Sequence, residues 1–407
     1  MPCILKQKTS RSPGIITFTQ NEALYGFMTK SSKIKKYLEE NSKDRKWIYG
    51  VHIQGDCSYM KEWPLETWQS FIMWPDTKAP FLSNVPKEKL MDMNCINFMP
   101  DIGLPKDSVK KWDICVVSRP SKIKRIAETI YTIKKLMAIR PESKVIFIVL
   151  DTRDISKGEK TYEKDNVDRR YFDLPLQIFT SEELKKISFL SSSMKSFGMF
   201  PVSHDLVTDI MVKSKFLLLT SHREGTPRVI AESLMAGTPC IISRNLRCGI
   251  LDCLNDRNTL YLNDDIDSDA NAIVKALDNY SGFSIDIKAI EKFRAEKNSP
   301  FLKKRLMDII ISLNCPTEGD WYLENLHLRL SGHGIKHNFQ FMEDENSLFH
   351  WLDYVHQNNP YDEDGSWREE KLKTNNSYIL VKIKNIMKNI TARGKKLVKN
   401  ALKLEHP

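Results

Sequence analysis

The sequence predicts a doubly wound α/β fold. Short apolar runs recur along it, amphipathic stretches of helical period lie between them, and the composition is that of a globular chain, 41% hydrophobic and 28% charged. Strands that alternate with helices pair in parallel through right-handed crossovers and form a sheet covered on both faces. At 407 residues the chain has room for two to three domains of about 150 residues each.

The elements follow in order. Ile15–Thr19, a helix over 33–40 and Trp47–Ile53 read as strand, helix, strand. Gly103-Leu-Pro105 and Ser108–Trp112 read as a linker. Asp113–Ser118 is a buried strand, and Ile123, Ile126, Ile130, Ile133 and Met137 recur at helical spacing after it. Lys144–Leu150 is the next strand, followed by an irregular, charged stretch. Then come a strand at Lys215–Thr220, a helix at Arg228–Ala236, strands at Pro239–Ser243 and Leu260–Leu262, and a helix at Asp269–Tyr280. Asp286–Leu313 is helical, and Pro316–Asn375 has no assignable pattern. The expected domains are 1–107, a shortened amino-terminal α/β domain; 108–290, the main α/β domain; 291–375, a carboxy-terminal extension; and 376–407, a basic tail.

Charge is concentrated at the end. Lys371, Lys373, Lys382, Lys384, Lys388, Arg393, Lys395, Lys396, Lys399 and Lys403 match the net charge of +10, so the first 370 residues are close to neutral. Ile379, Ile383, Ile386, Met387 and Ile390 recur at helical spacing opposite Lys382, Lys384 and Lys388. A basic amphipathic helix of this kind lies on an anionic membrane surface, so 376–407 is expected to hold the protein there. Packing on the protein's own body, or a solvated tail, is the alternative. No stretch has the roughly 18 apolar residues of a spanning helix, and the start lacks the apolar run of a secretory signal, so a cytoplasmic location at the membrane face is expected. The eight cysteines form no Cys-x-x-Cys pair and read as reduced core thiols. A nucleic-acid partner is not expected, because no aromatic-basic interleaving accompanies the charge.

The sharpest local signal is Ser221-His-Arg-Glu224-Gly225-Thr226-Pro227, leading into a helix that carries Glu232 and ends at Ala236-Gly237-Thr-Pro239. A strand ends at Thr220, so the loop lies at the carboxyl edge of the sheet, where ligands of such folds bind. Thr226 reads as the helix N-cap, Pro227 as its first residue, and Gly225 as a point where the backbone meets a phosphate at the helix start. Glu224 and Glu232 suit hydroxyls on either side of that phosphate, a layout that fits a nucleotide-sugar.

This arrangement of two glutamates with seven residues between them, within Ser-x-x-Glu-Gly and before Ala236-Gly-Thr-Pro239, resembles the motif of the retaining family-4 glycosyltransferases of GT-B fold. Trp112–Lys124 resembles that family's strand ending in Gly-Arg before a Lys, with Ser118 at the Gly position. The resemblance covers roughly residues 80–290. It implies a GT-B architecture of two Rossmann-like doubly wound domains, the first shortened, with a helical carboxy-terminal extension. It implies that Glu224 binds sugar hydroxyls, that Glu232 binds ribose, and that Arg119 and Lys124 neutralise the leaving diphosphate, with Lys122 competing for the second role. His52, after the apolar run Ile48–Val51, matches the histidine that reaches toward the donor sugar, with a core position as the alternative. The implied activity is transfer of a sugar from a nucleoside diphosphate to a hydroxyl of a glycan, lipid-linked given the tail, with the anomeric configuration retained, as in polysaccharide assembly.

The implied chemistry uses no metal and no cofactor, because fixed cations and a helix N-terminus stabilise the diphosphate as it leaves. Asp264–Asp269 contains Asp-x-Asp, which holds metals elsewhere; before an amphipathic helix it reads as capping. The sequence also departs from the family. No Gly-Gly loop precedes Ile15, the Gly-rich stretch is reduced to Asn245–Ile250, and Thr259 replaces a usual Gly. A catalytically inactive GT-B-like partner protein and a nucleotide-sugar epimerase or hydrolase are therefore the alternatives.

Overall fold

The computed structural model describes residues 2–24, 32–55, 57, 59–101, 108–151, 170–193, 202–331, 349, 352–353 and 355–356. The fold is mixed α/β with parallel sheets. The chain separates into two compact units: Met1–Tyr49 with Ile310–Glu324 and Ile335–Pro407, and Gly50–Ile309 with Asn325–Gly334. The basic tail lies outside the described residues.

In the first unit, strand β1 (Cys3–Lys6) runs antiparallel to β2 (Gly14–Thr19), and helices α1 (Gln20–Leu24) and α2 (Ser32–Lys43) precede β3 (Trp47–His52), which continues into the second unit. β1 is a strand ahead of Ile15 where sequence reading finds none, because four residues give too little alternation to detect. His356 lies stacked between Tyr37 and Trp47, at centroid separations of 5.1 and 4.6 Å. Its Nδ1 lies 2.9 Å from the Tyr37 hydroxyl and its Nε2 3.1 Å from that of Tyr49. Burial pushes the His356 imidazole down to about 3. Part of the extension that has no pattern in the sequence is thus fixed by aromatic packing, which leaves no periodic trace.

Lys6 is fully buried, and its Nζ donates to Gln7 O, Ser12 Oγ and Pro13 O at 2.9, 2.9 and 3.0 Å. Burial pushes this lysine down to about 8, opposed by the charges of Glu318 and Asp320. Between pH 8 and about 10 the unfolded chain holds a proton there that the folded chain gives up, so stability rises with pH in that window. Thermal melts across it should show the rise in the wild type and lose it in Lys6→Met; equal slopes would contradict the assignment.

The second unit holds the end of β3, strands β4 (Gln69–Met73) and β5 (Leu90–Met91), which pair in parallel, and a six-stranded sheet. The large sheet comprises β6 (Trp112–Ser118), helix α3 (Ile126–Ile139), β7 (Val145–Asp151), helix α4 (Arg170–Ile178), β8 (Ile187–Ser193), helix α5 (His204–Val212), β9 (Ser214–Leu219), helix α6 (Arg228–Met235), β10 (Cys240–Ser243), β11 (Thr259–Leu262) and helix α7 (Ile266–Asp278). Its strand order is β11-β10-β9-β6-β7-β8, every pair parallel. Alternate residues serve opposite faces. Ile114, Val116, Phe147, Phe216, Leu218 and Ile241 pack with α3, α4 and α7. Leu217, Leu219, Cys240 and Ile242 are equally buried outside that cluster, and α5 and α6, which touch β9 and β10, carry the buried Ile210, Met211, Ile230 and Leu234.

Two expectations need correction. The stretch between β7 and β9 is not irregular throughout: it contains α4 and β8, whose Ile-Ser-Phe-Leu-Ser-Ser-Ser sequence lacks an apolar run. The helix expected over 286–313 is interrupted. Ile287–Glu291 and Ala295–Ser312 are separate, because Met99 N donates to Phe293 O at 2.7 Å and Ala295 N to Met99 O at 2.9 Å. Among the described residues no helix is long and apolar enough to cross a membrane.

Candidate functional site

The sheet order places β6 and β9 side by side while their successors diverge, β7 on one side and β10 on the other. The loops leaving their carboxyl ends, 119–125 and 220–227, therefore open a crevice at the topological switch point, the usual ligand position in such sheets. The two loops are tied at their base. Thr220 Oγ1 lies 2.7 Å from Thr129 Oγ1 and donates to Arg125 O at 3.1 Å. Ser121 and Ser221, one on each loop, carry buried hydroxyls with no hydrogen-bond partner among the described residues.

On the first loop, Arg119 and Lys122 are exposed and make no ion pair among the described residues. Lys122–Lys124 forms a 3-10 turn that ends at Arg125, whose φ of 49° is left-handed. That backbone is unfavourable for a residue with a Cβ, and the Arg125 side chain is held firmly in place. Lys124 Nζ grips both oxygens of Glu224 on the second loop, with the two side chains only 16% and 10% exposed. Lys124 and Glu224, predicted separately, are thus brought together as one ion pair.

Beside it is a group that the sequence reading misses. Arg125 Nη1 pairs with Asp264 Oδ1 at 2.5 Å and also meets His222 Nε2, which lies 3.0 Å from Asp264 Oδ2. Ser243 Oγ and Asn245 Nδ2 donate to the same carboxylate at 2.8 and 2.6 Å. Burial would raise the Asp264 carboxyl, but the hydrogen bonds from Ser243, Asn245, His222 and Arg125 hold it well below the usual carboxylate range. Asp265 is the α7 N-cap, accepting from Ser268 N at 2.8 Å, as the capping reading expects. Asp264 instead faces the crevice network. It precedes the N-cap and has a left-handed φ of 67°, and nothing in the acidic run distinguishes it.

Glu232 occupies a second, buried cluster. Its Oε1 takes Arg228 Nε at 2.8 Å and His204 Nε2 at 3.2 Å, while its Oε2 has no partner among the described residues. Burial would raise this carboxyl, and the His204 hydrogen bond and Arg228 charge outweigh it and hold it low. His327, 6.2 Å from His204 between ring centroids, is pushed down to about 4 by burial and by Arg228. The i to i+4 spacing of Arg228 and Glu232 is visible in sequence; His204 and His327 come from distant segments and carry no local signal.

The third set of contacts corrects the reading of the helix start. α6 begins at Arg228 with Pro227 as its N-cap, and no side chain caps it. Thr226 lies one residue before the cap and is held elsewhere: its hydroxyl accepts from Asn94 Nδ2 at 2.9 Å and its N donates to Gln54 O at 3.2 Å. Gly225 faces protein: a Cβ there would sit 1.7 Å from Gln54 O and 2.7 Å from Gly55 Cα. Its absent side chain makes room for the chain's own backbone, a demand for glycine that the motif does not reveal. His52 is fully buried, with a hydrogen bond to the Leu330 backbone, and burial pushes its imidazole well below the ordinary range.

No family model matches the sequence, and no curated protein matches it. Solved structures similar to this chain include TarM (TM-score 0.45, 13% identity, covering 68% of this chain and 53% of that one). Others are an α,α-trehalose 6-phosphate synthase from Burkholderia multivorans (TM-score 0.47, 11% identity, 67% and 69% covered) and the lipopolysaccharide outer core galactosyltransferase WaaB (TM-score 0.45, 16% identity, 68% and 72% covered). The chain spans about half the length of TarM.

Proposed function

We propose that the protein is a glycosyltransferase of GT-B type that binds a nucleoside-diphosphate sugar at the β6/β9 crevice and moves the sugar to a hydroxyl of a glycan acceptor. The observation that carries this reading is the Lys124–Glu224 pair at the switch point, with Arg119 and Lys122 exposed on the same loop. An arriving diphosphate offers Lys124 a stronger anion and frees the Glu224 oxygens to accept hydrogen bonds from the sugar. Arg119 and Lys122 add charge where the leaving diphosphate gains it, stabilising that charge as a metal ion would. Glu232 Oε2 accepts from the ribose hydroxyls, with Oε1 held by Arg228 and His204. Gly225 and Thr226 shape the loop between these groups, and His52 supports its Gln54 side from the core. Retention of configuration follows if the acceptor attacks the face that the diphosphate leaves. A lipid-linked acceptor and a membrane-surface location rest on the basic tail.

A ligand that binds only the folded state raises its stability by about 2.7 kcal/mol at roughly 100 times its Kd. One of a panel of nucleoside diphosphates should therefore raise the melting temperature, with EDTA making no difference, and Glu232→Ala should lose most of the shift. If no diphosphate shifts the wild type, the donor site is absent and a non-catalytic partner role takes its place.

A further inference from the structure

The network around Asp264 has a property that the donor reading above does not use. Asp264 is a part-buried carboxylate with four side chains on it, from β10, from the loop after β10, from the 119–125 loop and from the 220–227 loop. Such a network fixes whatever it holds. His222 and Asn245 are the members with free surface, and His222 is the ionisable one, its side chain 41% exposed against 14% for Asp264 and 21% for Arg125. Only Nε2 of its ring is used, by Asp264 and Arg125; Nδ1 has no partner among the described residues. The ring is thus clamped at one nitrogen and presents the other, on the same loop as Glu224 and two residues from it.

The chemistry of that nitrogen follows from its partners. When Arg125 donates to Nε2, the proton of neutral His222 sits on Nδ1. When Asp264 accepts from a protonated ring, Nδ1 again carries a proton. A neutral ring donating Nε2–H to Asp264 would leave Nδ1 an acceptor, but Arg125, which can only donate, contacts the same Nε2 and disfavours that tautomer. Nδ1 is then a donor, and the neighbouring loop carries Arg119, Lys122 and Lys124, so its partner is an anion.

We propose that His222 Nδ1–H donates a hydrogen bond to a phosphoryl oxygen of the diphosphate, with Asp264 and Arg125 as the residues that position the ring. This assignment rests on the donor-site reading and adds to it a phosphate contact that the glutamate motif does not contain. Arg125 and Asp264 both have left-handed backbones, and their side chains meet at His222 Nε2.

The test measures binding of UDP, inorganic pyrophosphate and uridine to the full chain by calorimetry, for wild type, His222→Ala, His222→Asn and Asp264→Asn. A hydrogen bond to a charged group predicts a loss of about ten-fold or more in UDP and pyrophosphate affinity for His222→Ala, with uridine unchanged. His222→Asn, which keeps an N–H donor, should recover part of it. Asp264→Asn should weaken UDP in the same phosphate-specific way. Melting curves establish that each variant is folded; because His222 is half-exposed, its variants should melt close to the wild type. Wild-type and His222→Ala affinities that agree within two-fold would overturn the His222 contact and leave the donor site standing. An equal loss for uridine would make His222 a base or ribose contact and overturn it too. Failure of the wild type to bind UDP or pyrophosphate would overturn both readings together.

Discussion

Lys124→Met is expected to cost about 3 kcal/mol of stability and to reduce sugar transfer by about 100-fold or more. The stability loss arises from Glu224. Its carboxylate is 10% exposed and has both oxygens on Lys124, so removing the ammonium strands a charge in a poorly solvated place. Removing both ends is gentler, because two apolar side chains of similar size leave nothing stranded. Lys124→Met with Glu224→Leu should therefore melt nearer the wild type than Lys124→Met alone, yet remain inactive. Urea denaturation of the two single variants and the double variant closes the cycle, and a coupling of about 2 kcal/mol is expected for residues in direct contact. Additive single effects would mean that the pair exerts no mutual hold, and the exchange of Lys124 from Glu224 to the diphosphate would lose its basis.

The large sheet was legible in the sequence because its strands are buried on both faces. Asp113–Ser118, Lys144–Leu150 and Lys215–Thr220 are continuous apolar runs, and the structure has β6, β7 and β9 there, shifted by at most a residue at either end. β8, the edge strand, escaped because its sequence Ile-Ser-Phe-Leu-Ser-Ser-Ser has four serines in seven residues and no continuous apolar run. At the site, Glu224, Glu232 and Lys124 stand out through their spacing. Their partners do not: His204 lies 28 residues from Glu232, and Asp264 lies 139 from Arg125. Nothing local in a sequence records which distant side chain neutralises a buried carboxylate. Gly225 shows the converse limit, since the motif marks the residue while only the fold shows what presses against it.

Gly225→Ala is expected to destabilise the second unit by about 3 kcal/mol, the upper range for forcing an added methyl into a packed place. The added Cβ would meet Gln54 O at 1.7 Å and Gln54 C at 2.6 Å, backbone atoms that cannot rotate away. The surroundings are bonded on every side: Thr226 N to Gln54 O at 3.2 Å, Gly249 N to Gly225 O at 3.0 Å, and Asn94 Nδ2 to Ile53 O and Thr226 Oγ1 at 3.0 and 2.9 Å. Relief therefore requires moving the 53–55 segment away from the loop that carries Glu224. Gly237→Ala is the matched control. Gly237 closes α6 with a left-handed φ of 71°, so alanine there incurs only the conformational penalty of about 1 kcal/mol. The two variants should differ again in diphosphate binding, weakened in Gly225→Ala through the displaced loop and kept in Gly237→Ala. Equal losses in the two would show that Gly225, like Gly237, is needed for its backbone alone, and that the seam between 53–55 and the Glu224 loop yields without cost.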